Sequence, residues 1–276
     1  MAAPDDPIVI IEHGRLRGRW RTRVDARGTA TAFATFRGLP FAAPPVGALR
    51  FAAPAPVVPW DGVRDAGDFG PTPQRESPYD PPRIPEPSIP GEEVLTVNIS
   101  TPDPSPDAGL PVLVWIHGGG FVAGSPASPW YVGESFARDG VVTATVSYRL
   151  GFEGFGWMDD AVPNRGVRDW LAALAWIRRN IAAFGGDPSR VTIAGQSAGG
   201  AAVMRLLTLP AAQGLFARAL AISPADASAS VEHAREAARA IATALGVAPT
   251  AAEMGALDDV TIFRSLGAAD DAPGLT

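Results

Sequence analysis

Two glycine-rich stretches hold the residues best suited to carry a reaction. Gly195-Gln196-Ser197-Ala198-Gly199 fits the pattern G-x-S-x-G, in which a strand turns sharply into a helix and presents a Ser at the apex. A hydroxyl held there can attack a carbonyl carbon. The N–H of Ala198, at the start of the following helix, can help hold the oxyanion that forms, because helix starts offer unpaired donors and a favourable dipole. The second stretch, His117-Gly118-Gly119-Gly120-Phe121, stands directly after the apolar run Val112 to Ile116. Only glycines let backbone N–H groups crowd a substrate oxygen, so this stretch is a candidate for the other half of an oxyanion hole. Neither stretch decides the matter alone: with 30 Gly in 276 residues, G-x-S-x-G arises by chance in roughly one such chain in five. Glycines after a strand are, on their own, an ordinary tight turn. The order, strand then HGGG followed by strand then G-x-S-x-G, is what points to acyl transfer.

The elements around these stretches must be able to hold them. Short continuous apolar runs at Val112 to Ile116, Val141 to Val146, Val191 to Ala194 and Ala219 to Ile222 predict strands buried on both faces of a mostly parallel sheet. The third run leads straight into the Ser motif, and Ala201, Ala202, Val203, Leu206 and Leu207 after it predict a helix. A longer helix is expected from Val167, Leu171, Leu174 and Ile181, with Asn164 as its cap and Gly185-Gly186 as its stop. Another is expected over Glu232 to Leu245. Alternation at Ile8 to Ile11 and Thr31 to Phe36 predicts a small N-terminal antiparallel β-region. Prolines crowd Gly70 to Pro90 and again Pro102 to Pro106, where irregular loops are expected.

Composition narrows the chemistry. All 23 basic residues are Arg, and Cys is absent. Without Lys there is no phosphate-loop lysine and no Schiff base to pyridoxal phosphate; without Cys there is no thiol nucleophile, disulfide or Cys-ligated zinc. The net charge of −6 argues against nucleic acid as a partner. The start, Met1 to Pro7, is acidic and broken by Pro, unlike a secretory signal, and no apolar run is long enough to span a bilayer. A soluble cytoplasmic protein with no membrane association is expected.

A longer series of motifs then comes into view. It includes Phe36-Arg37-Gly38-Leu39-Pro40-Phe41-Ala42, Pro44-Pro45-Val46-Gly47-Ala48-Leu49-Arg50-Phe51, Trp60-Asp61-Gly62-Val63-Arg64 and Leu95-Thr96-Val97-Asn98-Ile99. It continues through Val114 to Phe121, Ser147-Tyr148-Arg149-Leu150-Gly151, Asn180 to Pro188 and Val191 to Gly200. In these residues the chain resembles the type-B carboxylesterases, the cholinesterase-like branch of the α/β-hydrolases, nearly throughout as far as about Ser223. The resemblance implies an α/β-hydrolase fold, Ser197 as the acyl-enzyme nucleophile, and Gly119, Gly120 and Ala198 as the oxyanion hole. It implies a small-molecule carboxylic ester as substrate and no metal or organic cofactor. Several positions depart from the family. Gln196 stands where Glu is usual, Trp170 where Gln is usual, and both halves of a family disulfide are missing from the stretches around Gly70 and Gly91. The resemblance also implies an ion pair between Arg50 and Glu92.

An activated Ser needs a His and an orienting carboxylate, in the chain order Ser, acid, His. By resemblance the acid should lie on the order of a hundred residues beyond Ser197 and the His roughly as far again, whereas the sequence stops at Thr276, about 80 residues on. His117 opens the oxyanion loop, His13 has no motif around it, and His233 reads as a solvated helical residue. No spacing singles out an acid among Asp226, Glu253, Asp258, Asp259, Asp270 and Asp271. The expectation is therefore a single α/β-hydrolase domain over 1–276, truncated on its C-terminal side, lacking the last strands and helices together with the catalytic Glu and His. An open sheet edge and an exposed apolar face should follow. Two alternatives differ in class: a non-catalytic binding or assembly module, which the retained Ser197 and HGGG stretch disfavour, and one half of a split esterase completed by a C-terminal chain.

Overall fold

The computed structural model describes residues 5–24, 26, 28–73, 84–225 and 228–269. Alternating residues at the N-terminus form β1 (Ile8–Ile11), β2 (Gly14–Arg17), β3 (Arg19–Val24) and β4 (Ala30–Pro40). They are followed by β5 (Val63–Asp65), β6 (Thr96–Thr101), β7 (Leu110–Ile116), β8 (Val142–Val146), β9 (Gly186–Gln196) and β10 (Arg218–Ile222). β1, β2 and β5 make a small separate sheet. The other seven form the central sheet in the order β10-β9-β7-β8-β6-β4-β3. Its first four strands run parallel, and β6, β4 and β3 join antiparallel. The N-terminal antiparallel strands are thus split. β1 and β2 stand apart, whereas β4 carries Phe33, Ala34 and Phe36 fully buried and so completes the main sheet. The described parts of the two Pro-rich stretches, 71–73, 84–90 and 102–106, carry no helix or strand; Pro78, Pro81 and Pro82 lie outside the described residues.

The apolar runs pack as their composition demands. Val112, Val114 and Ile116 of β7, Val142, Ala144 and Val146 of β8, and Val191 and Ile193 of β9 join one core. Two helices cover it, α3 (Arg165–Asn180) through Trp170, Ala173, Leu174, Trp176 and Ile177, and α4 (Ala198–Thr208) through Ala202, Val203 and Leu206. A short α1 (Glu134–Arg138) precedes β8 and α2 (Gly151–Phe155) follows it. The C-terminal helices α5 (Val231–Leu245), α6 (Ala251–Gly255) and α7 (Asp259–Arg264) pack elsewhere, forming a second cluster with Phe51, Phe152 and Met158.

That division explains one failed expectation. β10 is expected to be buried on both faces, but it is an edge strand of the central sheet, with β9 its one ladder partner among the described residues, and most of it is exposed. Leu220 is 52% exposed, and Met204 and Leu207 of α4 are 50% and 54% exposed. The following helices turn away toward Phe51, so the apolar edge and face anticipated from the sequence are both present.

Two buried guanidinium groups tie the loops to the sheet. Arg149, after β8, donates to both carboxylate oxygens of Asp169 on α3 (2.7 and 2.9 Å) and to the Ala52 carbonyl (2.8 Å). Both side chains of the pair are shut off from solvent. Arg165 donates to the carbonyls of Phe152, Glu153, Gly156 and Val162. It thereby ties the end of α2 and the loop after it to the start of α3. Burial, reinforced by the nearby Arg149, pulls Arg165 down to about 10, so it stays charged at neutral pH. Asn164 does occupy the N-cap position of α3, yet with left-handed backbone (φ 54°) and no side-chain cap bond. Arg50 pairs with Glu153 (2.7 Å) and not with Glu92, which is exposed. Glu153 on α2 presents its carboxylate directly to Arg50, and the adjacent Glu93 pairs with Arg64.

Removing Asp169 leaves the Arg149 charge buried without its partner, so Asp169→Ala is expected to destabilise the fold by about 3–5 kcal/mol. Urea unfolding followed by circular dichroism measures this. The double change Arg149→Met with Asp169→Leu is expected to recover most of the loss, because it removes both charges together.

Candidate active site

Ser197 sits where β9 meets α4, in the strained conformation that the elbow pattern requires (φ 56°, ψ −123°). Such a backbone persists only when its surroundings force it. Here the Ser197 N–H donates to the Ile222 carbonyl at the end of β10 (3.0 Å), and the Ser197 carbonyl accepts from Ala201 N–H (2.9 Å). The motif's last glycine is needed for contact. A Cβ on Gly199 would stand 2.1 Å from the Ile116 carbonyl oxygen, so only glycine lets α4 start beneath the end of β7.

That closeness brings the two glycine-rich stretches together. A Cβ on Gly118 would lie 2.7 Å from the Gln196 carbonyl oxygen and 3.4 Å from the Ser197 Cβ, so the loop after β7 rests against the elbow itself. Gln196 and Ser197 are half-buried, Ala198 is buried, Gly119 is half-buried and Gly120 is exposed. Each expected oxyanion donor belongs to a planar peptide whose carbonyl points the opposite way, and each of those carbonyls is held. Gly118 O, paired with Gly119 N–H, accepts from His117 Nδ1 (2.9 Å). Gly119 O, paired with Gly120 N–H, accepts from Val122 N–H (3.1 Å) and Ala123 N–H (2.9 Å). Ser197 O, paired with Ala198 N–H, is held by Ala201. The three expected donors thus have fixed directions, and Gly118 brings their loop against the elbow.

His117 is fully buried, and burial pushes its pKa down from 6.5 to about 4, against the opposing pull of the Gly118 carbonyl. A carbonyl only accepts, so the proton sits on Nδ1 and the ring is neutral at neutral pH. Phe121 follows the glycines, itself at φ 62°. Its ring packs against Phe155 (4.9 Å) and Trp170 (5.9 Å between centroids). Trp170, at the position where the family usually has Gln, is fully buried in this aromatic cluster and also meets Tyr148. In the sequence Phe121 closes the glycine stretch, Trp170 is a departure from the family and Tyr148 lies in the Ser147 to Gly151 stretch, but nothing in their spacing shows that they meet.

The other candidates lie elsewhere. His13 stacks on Trp60 beside Glu12, and His233 sits half-buried on α5. Asp258 caps α7 through Thr261, the contact that holds its carboxyl below the usual range. Glu253 accepts from the Ala248 amide at the start of α6. Asp226, Asp270 and Asp271 fall outside the described residues. Among the described residues, no hydrogen bond joins Ser197 to a His, Asp or Glu side chain. A cavity of about 750 Å³ opens between the Val46 to Ala52 loop, α2 and α7; it touches Val122 but is not lined by Ser197.

Residues 5–270 match the Carboxylesterase family. The chain belongs to that family. The para-nitrobenzyl esterase of Bacillus subtilis (strain 168) is 39% identical over 248 residues, which are 87% of this chain and 48% of that protein. Carboxylesterase 3 of Homo sapiens is 41% identical over 224 residues, 78% of this chain and 38% of that one. The crystal structure of juvenile hormone esterase from Manduca sexta, with OTFP covalently attached, superposes with a TM-score of 0.87 at 33% identity. It covers 95% of this chain and 51% of its own. The α/β fold of this carboxylesterase chain is therefore that of its relatives, and the chain spans about half or less of the length of those it matches. No helix among the described residues is long and apolar enough to cross a membrane.

The buried imidazole gives the chain a pH signature. The unfolded chain takes up a proton near pH 6.5, while the folded state resists until about pH 4. The unfolded state binds more protons across that interval, so stability is expected to fall as pH drops from 6.5 to 4, by up to about 3 kcal/mol from this residue. Comparing the pH dependence of unfolding for the native chain and His117→Gln isolates the contribution; equal slopes in both would remove it.

Proposed function

We propose that this chain carries the nucleophile and oxyanion hole of a serine carboxylesterase acting on small-molecule carboxylic esters in the cytoplasm. Ser197 Oγ attacks the ester carbonyl. Gly119, Gly120 and Ala198 N–H groups receive the oxyanion, the alcohol leaves, and water then releases the acid from the acyl-enzyme. The observation that carries this reading is the strained Ser197 apex with the Gly118 to Gly120 loop resting against it. A binding module without catalysis would have no use for that strain.

The His and carboxylate that activate Ser197 belong, in this reading, to sequence outside these 276 residues. This chain is then one part of a single α/β-hydrolase domain, and the rest of it is either continuous with the chain or a second polypeptide. Support comes from the relatives' greater length and from the uncovered apolar surface at Leu220, Met204 and Leu207.

The test is labelling with a fluorophosphonate together with turnover of p-nitrophenyl acetate. Label is expected on the native chain and not on Ser197→Ala; label that survives the substitution would end the nucleophile assignment. Without base and acid, turnover should sit roughly 10³-fold or more below that of a completed site, and above the water rate. Recovery on adding a C-terminal polypeptide supports completion in trans.

A further inference from the structure

One buried polar side chain beside the glycine loop has no part in the mechanism above. The parallel ladder between β7 and β8 ends at the pair Ile116 and Val146, so the His117 carbonyl lies one residue beyond the last rung. Tyr148 reaches across to it and its hydroxyl donates at 2.9 Å. The Tyr148 ring also lies flat against the His117 imidazole, with 4.5 Å between centroids and 22° between planes, while its edge meets Trp170. Phe would fill the same space without burying a hydroxyl, which costs stability unless a hydrogen bond compensates. The hydroxyl's partner is the one carbonyl that opens the loop.

Two peptide planes follow from these contacts. The hydroxyl sets the plane joining His117 to Gly118. The ring face holds the imidazole where Nδ1–H meets the Gly118 carbonyl, and that bond sets the next plane, which ends in Gly119 N–H. We propose that Tyr148 is a positioning residue, which fixes the direction of the Gly119 N–H toward the developing oxyanion by holding His117 at both its carbonyl and its ring. The inference rests on the serine-esterase reading for the identity of the oxyanion and adds to it a residue that touches no substrate. Burial pushes the phenol above its ordinary range, so it remains a donor throughout an esterase assay.

Tyr148→Phe removes the hydroxyl and keeps the ring. In the 276-residue chain labelled with ¹⁵N-glycine, amide hydrogen exchange at Gly118 and Gly119 is expected to quicken roughly five- to tenfold, the weight of one hydrogen bond, while Gly62 and Gly246 stay as they were. The fluorophosphonate labelling rate of Ser197 should fall by a similar factor, and where turnover is measurable kcat should fall with KM within about twofold. Unchanged exchange at Gly118 and Gly119 would overturn the proposal. So would acceleration spread equally to Gly62 and Gly246 with a lower melting temperature, the mark of packing alone. Failure of the native chain to label counts against the esterase reading, and the exchange data still decide whether Tyr148 holds the loop.

Discussion

The first turn of α4 passes so close beneath the end of β7 that a methyl group at Gly199 would press into the Ile116 carbonyl. Close-packed interiors transmit such a constraint widely. It fixes where β9 must end, forces Ser197 into left-handed φ, and lays the glycine loop against the elbow. The strain at Ser197 is offset by local bonds from both sides, its N–H to β10 and its carbonyl to the body of α4. Sheet, helix and loop thus determine the site jointly.

Arginine holds the surrounding frame. A lysine ammonium could neutralise Asp169, but it is a compact point charge; the planar fork of Arg149 meets both carboxylate oxygens and still reaches Ala52. Arg165 uses the same geometry to gather four carbonyls from α2 and the loop after it. In a chain whose basic residues are all Arg, that composition supplies the one cation suited to these positions.

What was legible in the sequence were features that local backbone requirements impose. Gly195 and Gly199 around Ser197, the HGGG stretch after an apolar strand, and the runs that became β7, β8 and β9 each state their own conformation. Contacts between distant segments were not legible. Arg50 found Glu153 rather than Glu92 because α2 presents that carboxylate beside the Pro44 to Phe51 loop, a matter of tertiary placement. The burial of β10 was misjudged for a related reason: an apolar run says that a surface should be covered, but not what covers it. Asn164 is a cap by residue type, but its left-handed backbone leaves the side chain without a cap bond, which residue type does not reveal. Tyr148 meets His117 only because two parallel strands end together, and no local pattern records that.

The Ser197 amide is anchored on Ile222, the last residue of the sheet's exposed edge. Edge strands with one partner are the first parts of a sheet to open, since half their hydrogen bonds face solvent. When β10 frays, the acceptor for Ser197 N–H leaves with it, and the elbow loses one of the two bonds that oppose its strain. The order of the nucleophile is therefore coupled to an edge strand of the sheet. Whatever pairs with that strand or shields it also stiffens the serine, so assembly at the edge and readiness at the apex share a single hydrogen bond.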